Sequence, residues 1–184
     1  MGAGDGPIEI VDYQSSWPAF FAAERERLAP LLPGLRIHHI GSTAVPGLAA
    51  KPVIDMIALV DDLERSTPAV MQAGYCLSPQ FNANLVHRRF LSHPSSSYRT
   101  HHLHLVDARE DLERCLRFRD RLRTDSKLAA DYAALKRALA ARFLEDRAGY
   151  TQAKTPFIEQ ARERTRTPRH RTDASGTGRS SHLS

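Results

Sequence analysis

The chain predicts an α+β fold: a small mixed β-sheet covered by helices, of nucleotidyltransferase-like layout, with a helical C-terminal half. Two observations carry that prediction. Short apolar or β-branched runs at residues 35–40, 53–60, 84–92 and 100–106 alternate with segments of helical spacing. Beyond residue 112 the composition shifts to Ala, Leu, Arg, Glu and Lys, which are good helix formers. With 184 residues and 41% hydrophobic content, the chain can bury one core of ordinary size.

A first short strand is expected at residues 8–11, where Ile8, Ile10 and Val11 follow a Gly-rich leader. A helix comes next. Ser15 or Ser16 can cap it, Pro18 suits its first turn, and Trp17, Phe20, Phe21, Leu28, Leu31 and Leu32 recur at helical spacing before Pro33 and Gly34 end it. Residues 35–40 read as a strand, after which Gly41 and Ser42 bring flexible backbone beside a hydroxyl. Pro46 and Gly47 suit the central positions of a type II turn, because Pro presets φ and Gly accepts φ > 0. Pro52 opens residues 53–60, whose length and branching fit a mostly buried strand. Residues 62–74 read as a short helix ending near Gly74, residues 84–92 and 100–106 as strands, and residues 112–123, 126–143 and 147–162 as helices.

Asp55 is the one ionisable residue in its strand. An unpaired carboxylate there is costly to desolvate, so it is expected to meet a metal, a cation or several donors. Gly41, Ser42 and Thr43 form a turn through which backbone can approach a phosphate; a turn that satisfies its own backbone is the alternative. Strand alternation puts His102 and His104 on one face, a spacing that lets two imidazoles reach one metal or one anion. Sheet histidines with ordinary partners are the other reading. His39 either joins this site or packs its strand. Lys51, Arg88, Arg89 and Arg99 are expected charge partners for phosphate, with surface ion pairs as the alternative.

The formal charge of +5 is concentrated at the end of the chain. From Arg162 onward there are six arginines against Glu163 and Asp173, in a Ser-, Thr- and Gly-rich context that predicts a disordered basic tail over residues 163–184. Residues 7–162 then form the folded domain, nearly neutral, and nucleic acid is not expected as a partner. Neither a signal segment nor a membrane-length apolar run is evident, so a cytoplasmic location is expected. Cys76 and Cys115 lack metal-type spacing and read as reduced thiols.

Taken together, the motifs resemble the GrpB family over residues 8–158. They are Tyr13 to Pro18, His39 to Leu48, Lys51-Pro52 with Ile54-Asp55, His102 to Leu105, Phe118 to Asp120, Tyr132 with Leu135-Lys136, and Ala153-Lys154 with Phe157-Ile158. That family looks like a branch of the nucleotidyltransferase superfamily related to DNA polymerase beta, in which a Gly-Ser motif precedes a strand of metal-binding carboxylates. Similar domains occur fused to dephospho-coenzyme A kinase. This chain has no GxxxxGK[ST] phosphate loop and resembles only the accessory domain.

The resemblance implies binding of a nucleotide or phosphorylated small molecule with a divalent metal, Mg or Mn (Zn as an alternative), and nucleotidyl transfer to a small acceptor. Asp55 would be the catalytic carboxylate, Gly41, Ser42, Thr43, Lys51 and Arg89 the phosphate contacts, and Lys154 would close over the site; Arg119, beside Asp120 in a basic helix, reads as a structural ion pair with a site role as the alternative. Superfamily chemistry needs carboxylates at i and i+2 of a strand, so that both face one pair of ions. Here the second position is Ile57. His38 also stands where the family more often has Glu, and Arg121 where it has an aromatic residue. Two alternatives follow from the departures. In one, Asp55, His102 and His104 form a single-metal centre with His104 catalytic; in the other, the domain binds a nucleotide or a protein without catalysis.

Overall fold

The computed structural model describes residues 2, 3 and 6–163. The predicted tail lies outside these residues except for Glu163, the last residue of the final helix. Strands β1 (Ile37–Ile40), β2 (Ile54–Leu59), β3 (Cys76–Leu77), β4 (Arg88–Pro94) and β5 (Arg99–Val106) form one sheet in the order β1-β2-β5-β4-β3. β2 and β5 run parallel, and the other neighbours run antiparallel, so the sheet is mixed. The helices are α1 (Trp17–Leu28), α2 (Leu63–Gln72), the single turn α3 (Pro79–Asn82), α4 (Arg109–Thr124), α5 (Ser126–Phe143) and α6 (Arg147–Glu163). None of the described helices is long and apolar enough to cross a membrane.

Alternation along the strands sends two sets of side chains to two different cores. Ile54, Met56, Ala58, Leu91, Leu103 and Leu105 pack with Trp17 and Leu28 of α1 and with Leu63 and Val70 of α2. On the other face, Ile40, Ile57 and Val106 meet Leu112, Cys115 and Leu116 of α4. Further along α4, Leu122 joins Tyr132 of α5, with Phe157 and Ile158 of α6 packed against them and Val45 and Leu48 from the β1–β2 loop. Strand β2, flanked by β1 and β5, is therefore buried on both faces, which is why its sequence is almost uninterruptedly apolar.

Two expectations need correction. Residues 8–11 form no strand: Val11 makes one isolated bridge to Ala50, while the Ile8 N–H donates to the Leu144 carbonyl at 2.8 Å. The segment lies along loop and helix backbone, so it cannot extend a ladder. The strand expected at residues 84–92 starts only at Arg88, because residues 84–87 form the turn that follows α3; β3 and α3 themselves are too short to show periodicity. Asn82 of α3 accepts from the Phe90 N–H at 2.8 Å and donates to the Phe90 carbonyl at 2.9 Å, taking the place of a neighbouring strand. The predicted type II turn is present, with Gly47 at φ +77° and the Leu48 N–H bonded to the Val45 carbonyl. At α1, Ser16 occupies the cap position without a side-chain cap bond.

Candidate functional site

Asp55 pairs across the sheet with Ile40 of β1 and His102 of β5. Its side chain is 32% exposed, and Oδ1 accepts from His102 Nδ1 at 2.8 Å. A carboxylate can only accept, so that imidazole carries its proton on Nδ1, and its Nε2 is buried with no hydrogen-bond partner. Burial pushes the Asp55 carboxyl upward, but the bond and charge of His102, helped by His104 and Lys51, outweigh it and hold the group at about 2.

The turn after β1 closes directly over this carboxylate. Gly41 has φ +69°, and a Cβ there would lie 2.5 Å from Asp55 Oδ2. Only glycine fits both the conformation and the contact. Ser42 to Ala44 then form a 3₁₀ turn. Helical side chains hold the loop that follows. Lys136 of α5 donates to Ser42 Oγ at 2.9 Å and also to the Ala49 carbonyl, while Arg123 of α4 donates twice to the Ala44 carbonyl, at 2.9 and 2.7 Å. The segment from Ser42 to Ala49 is thus fixed at its start, middle and end.

Around Asp55 stand three lysines. Lys136 is only 3% exposed and lies over the Tyr132 ring at 4.8 Å. Lys154 and Lys51 approach the ring of Tyr150 at 4.2 and 5.2 Å. Burial, then the neighbouring Lys154, brings Lys136 down to about 7; burial, then Lys51, brings Lys154 down to about 8. Lys51 is lowered by burial as well. A surface cavity of about 170 Å³, lined among others by Ala3, Pro7, Lys51, Pro52 and Arg147, shares only Lys51 with this site.

Several sequence-derived site residues go elsewhere. Arg89 faces the α2 side of the sheet, where it pairs with Glu64, because it alternates with Arg88 and Phe90. Arg88 is the cation on the Asp55 face, and its Nε donates to His104 Nδ1 at 3.1 Å. An arginine can only donate, so His104 uses Nδ1 as an acceptor; burial, then Arg88, holds its pKa well below the usual value. His39 lies on the opposite face, stacked on Phe21 with centroids 4.7 Å apart, and burial lowers it to about 4. Thr43 turns inward to His39 Nε2 at 3.0 Å and is 1% exposed, so it presents no hydroxyl to a ligand. Arg119 donates to the His39 carbonyl at 2.9 Å and pairs with Asp120, clamping α4 to β1.

Lys136, Tyr132 and Tyr150 join the site although the sequence assigns none of them a role there. Lys136 sits inside a helix of ordinary composition, 94 residues from the serine it touches. Its motif position beside Leu135 is the one available pointer. Asp55 and His102 are bonded to each other and His104 is engaged by Arg88. Among the described residues no group of three His, Cys, Asp or Glu side chains could hold a metal ion.

Comparison with known proteins agrees with this architecture. A family model described as GrpB protein matches residues 7–164. UPF0157 protein PA4798 of Pseudomonas aeruginosa is 40% identical over 163 residues, covering 85% of this chain and 66% of its own length. UPF0157 protein YqkA of Bacillus subtilis is 36% identical, with 92% of this chain and 51% of its own length covered. The chain thus spans between half and two thirds of these relatives. A protein named dephospho-CoA kinase from Mycolicibacterium paratuberculosis is 29% identical, and the match covers 46% of it. The crystal structure of conserved protein GrpB from Enterococcus faecalis superposes with a TM-score of 0.74 at 33% identity, over 85% of this chain and 96% of that one. By family model, sequence and fold, the chain belongs to the GrpB family.

Proposed function

We propose that the cleft at Gly41 and Asp55 binds a nucleotide or another phosphorylated small molecule, and that the chain transfers a nucleotidyl group to a small acceptor. The observation that carries this reading is the contact between the left-handed Gly41 turn and Asp55 Oδ2. It supports the reading by bringing a glycine-serine loop beside a carboxylate. Further support comes from Lys136 behind Ser42, the lysines on Tyr150, and the relative named as a kinase. In such a transfer the acceptor oxygen or nitrogen bonds to the α-phosphorus of a nucleoside triphosphate, its proton passes to solvent, and the α–β bridging oxygen leaves with pyrophosphate. Ser42 and the loop amides would bind phosphate oxygens, and Lys51 and Lys154 would balance their charge.

A resident centre built from Asp55, His102 and His104 is the less favoured reading, since Asp55 Oδ1 is bonded to His102 Nδ1 and His104 Nδ1 to Arg88. A Mg or Mn ion arriving with phosphates fits better, because such ions take one or two carboxylates plus ligand oxygens and water. Asp55 would hold it, and the ion would stabilise charge on the phosphates. The non-catalytic reading is favoured by one observation: Ile57, at the second carboxylate position, is fully buried.

Thermal unfolding against ATP, GTP, CTP and UTP, each with Mg or Mn, tests binding. A ligand at 100 times its Kd is expected to stabilise the fold by about 2.7 kcal/mol. Pyrophosphate release over a panel of small alcohols and amines tests transfer, and Asp55→Asn is expected to abolish it. Binding without release would favour the non-catalytic reading. No shift with any nucleotide would overturn nucleotide binding, with or without transfer.

A further inference from the structure

We propose that Lys51, Lys136 and Lys154 neutralise the ligand's polyphosphate in place of a metal-ion pair, so that a nucleoside triphosphate or inorganic polyphosphate binds without divalent metal. This rests on the reading that the Gly41–Asp55 cleft takes a phosphorylated ligand.

The three ammonium groups converge from separate elements. Lys51 comes from the loop before β2, Lys136 from α5 and Lys154 from α6. Lys154 and Lys51 share one aromatic platform, Tyr150, which is itself 1% exposed. Lys136 is buried behind Ser42, so its amine is held under the loop that would receive phosphate. No carboxylate forms an ion pair with any of the three among the described residues. Asp55, the acid whose field reaches all of them, is bonded to His102 instead. The three lysines therefore share a single acid, Asp55, which forms an ion pair with none of them.

Buried like charges without counter-charge are costly, and a multiply charged anion relieves them most. Three lysines against one carboxylate suit a polyphosphate better than a monoanion, because a multiply charged anion favours the protonated form of each amine. The carboxylate pair that would fix two metal ions is absent, because Ile57 is packed against Ile40, Val106 and Leu112. Charge that such ions supply elsewhere is supplied here by side chains. A metal held by Asp55 would then serve turnover rather than capture.

Isothermal titration of the full chain with inorganic tripolyphosphate and with ATP, in EDTA and in excess Mg, tests this. Saturable one-to-one binding is expected in EDTA. The Lys51→Met/Lys154→Met double variant, checked for folding by circular dichroism, is expected to lose at least about tenfold in affinity. Asp55→Asn is expected to bind tripolyphosphate in EDTA at least as tightly as the parent, because it removes the one negative charge. Binding that needs Mg and disappears in Asp55→Asn would overturn the proposal while leaving the cleft as a nucleotide site. Unchanged affinity in the double variant would also overturn it, by locating the anion elsewhere. No binding of either probe under either condition would defeat the reading of the cleft itself.

Discussion

Gly41 and Lys136 hold the two sides of the Ser42 loop, and each can be tested by a single substitution. Gly41→Ala drives a methyl group toward Asp55 Oδ2 and leaves a side chain at φ +69°. The expected cost is about 1–3 kcal/mol in urea denaturation, together with loss of any nucleotide-dependent shift. An unchanged midpoint and an unchanged shift would show that the turn can relax away from Asp55 and does not form the site. Lys136 gives a pH signature. Its folded-state pKa is about 7 against 10.5 for an ordinary lysine, so between those values the unfolded state binds more protons and stability rises with pH. The melting temperature of the parent minus that of Lys136→Met is therefore expected to climb from about pH 6 to about pH 9.5. A flat difference would mean that Lys136 is not held near neutrality. Asp55 acts at the other end of the scale: its depressed pKa adds stability that is present above about pH 4 and fades as pH falls toward 2.

Strand β2 shows how one element serves packing and chemistry at once. Residues 54, 56 and 58 face α1 and α2, while Asp55 and Ile57 face the helical half. Asp55 lies at the strand's open end, beneath the Gly41 turn, whereas Ile57 is sealed beneath α4. Placing a carboxylate at position 57 would bury it among Ile40, Val106 and Leu112. Ile57→Asp is expected to destabilise the fold by at least about 3 kcal/mol in denaturant titration, with no gain of Mg binding. A stable variant that binds Mg would show that the second carboxylate position is open after all.

Across the whole molecule, β2 couples the α1–α2 layer to the α4–α6 layer, and Arg119 and Arg123 fasten α4 to the β1 side. Unfolding is therefore expected to be a single transition, with Trp17 fluorescence, from the first layer, and far-ultraviolet circular dichroism, from all helices, giving one midpoint. Two midpoints would mean that the layers separate. Long elements are legible in the sequence because burial on a known face sets their period: β2, β5, α5 and α6 fall close to their expected positions. The two-residue β3 and one-turn α3 leave no period to read, and the 8–11 segment looks like a strand because apolar residues also line loops that pack. Within the site, Gly41, Ser42, Lys51, Asp55 and Lys154 are readable from motif and turn chemistry. Arg89 differs from Arg88 by one residue of alternation, which moves a side chain through the sheet. Lys136 escapes sequence reading because no local pattern reports that a helix 94 residues away ends its lysine on a serine.

The packing of Ile57 also bears on what this chain can become. A second carboxylate is a change at a single position, but that change has to follow others at Ile40, Val106 or Leu112 that make room for water. Each of those changes thins the core before it brings any benefit. A lineage starting from this sequence meets that valley first, so the one-carboxylate site is the state from which new activities have to evolve.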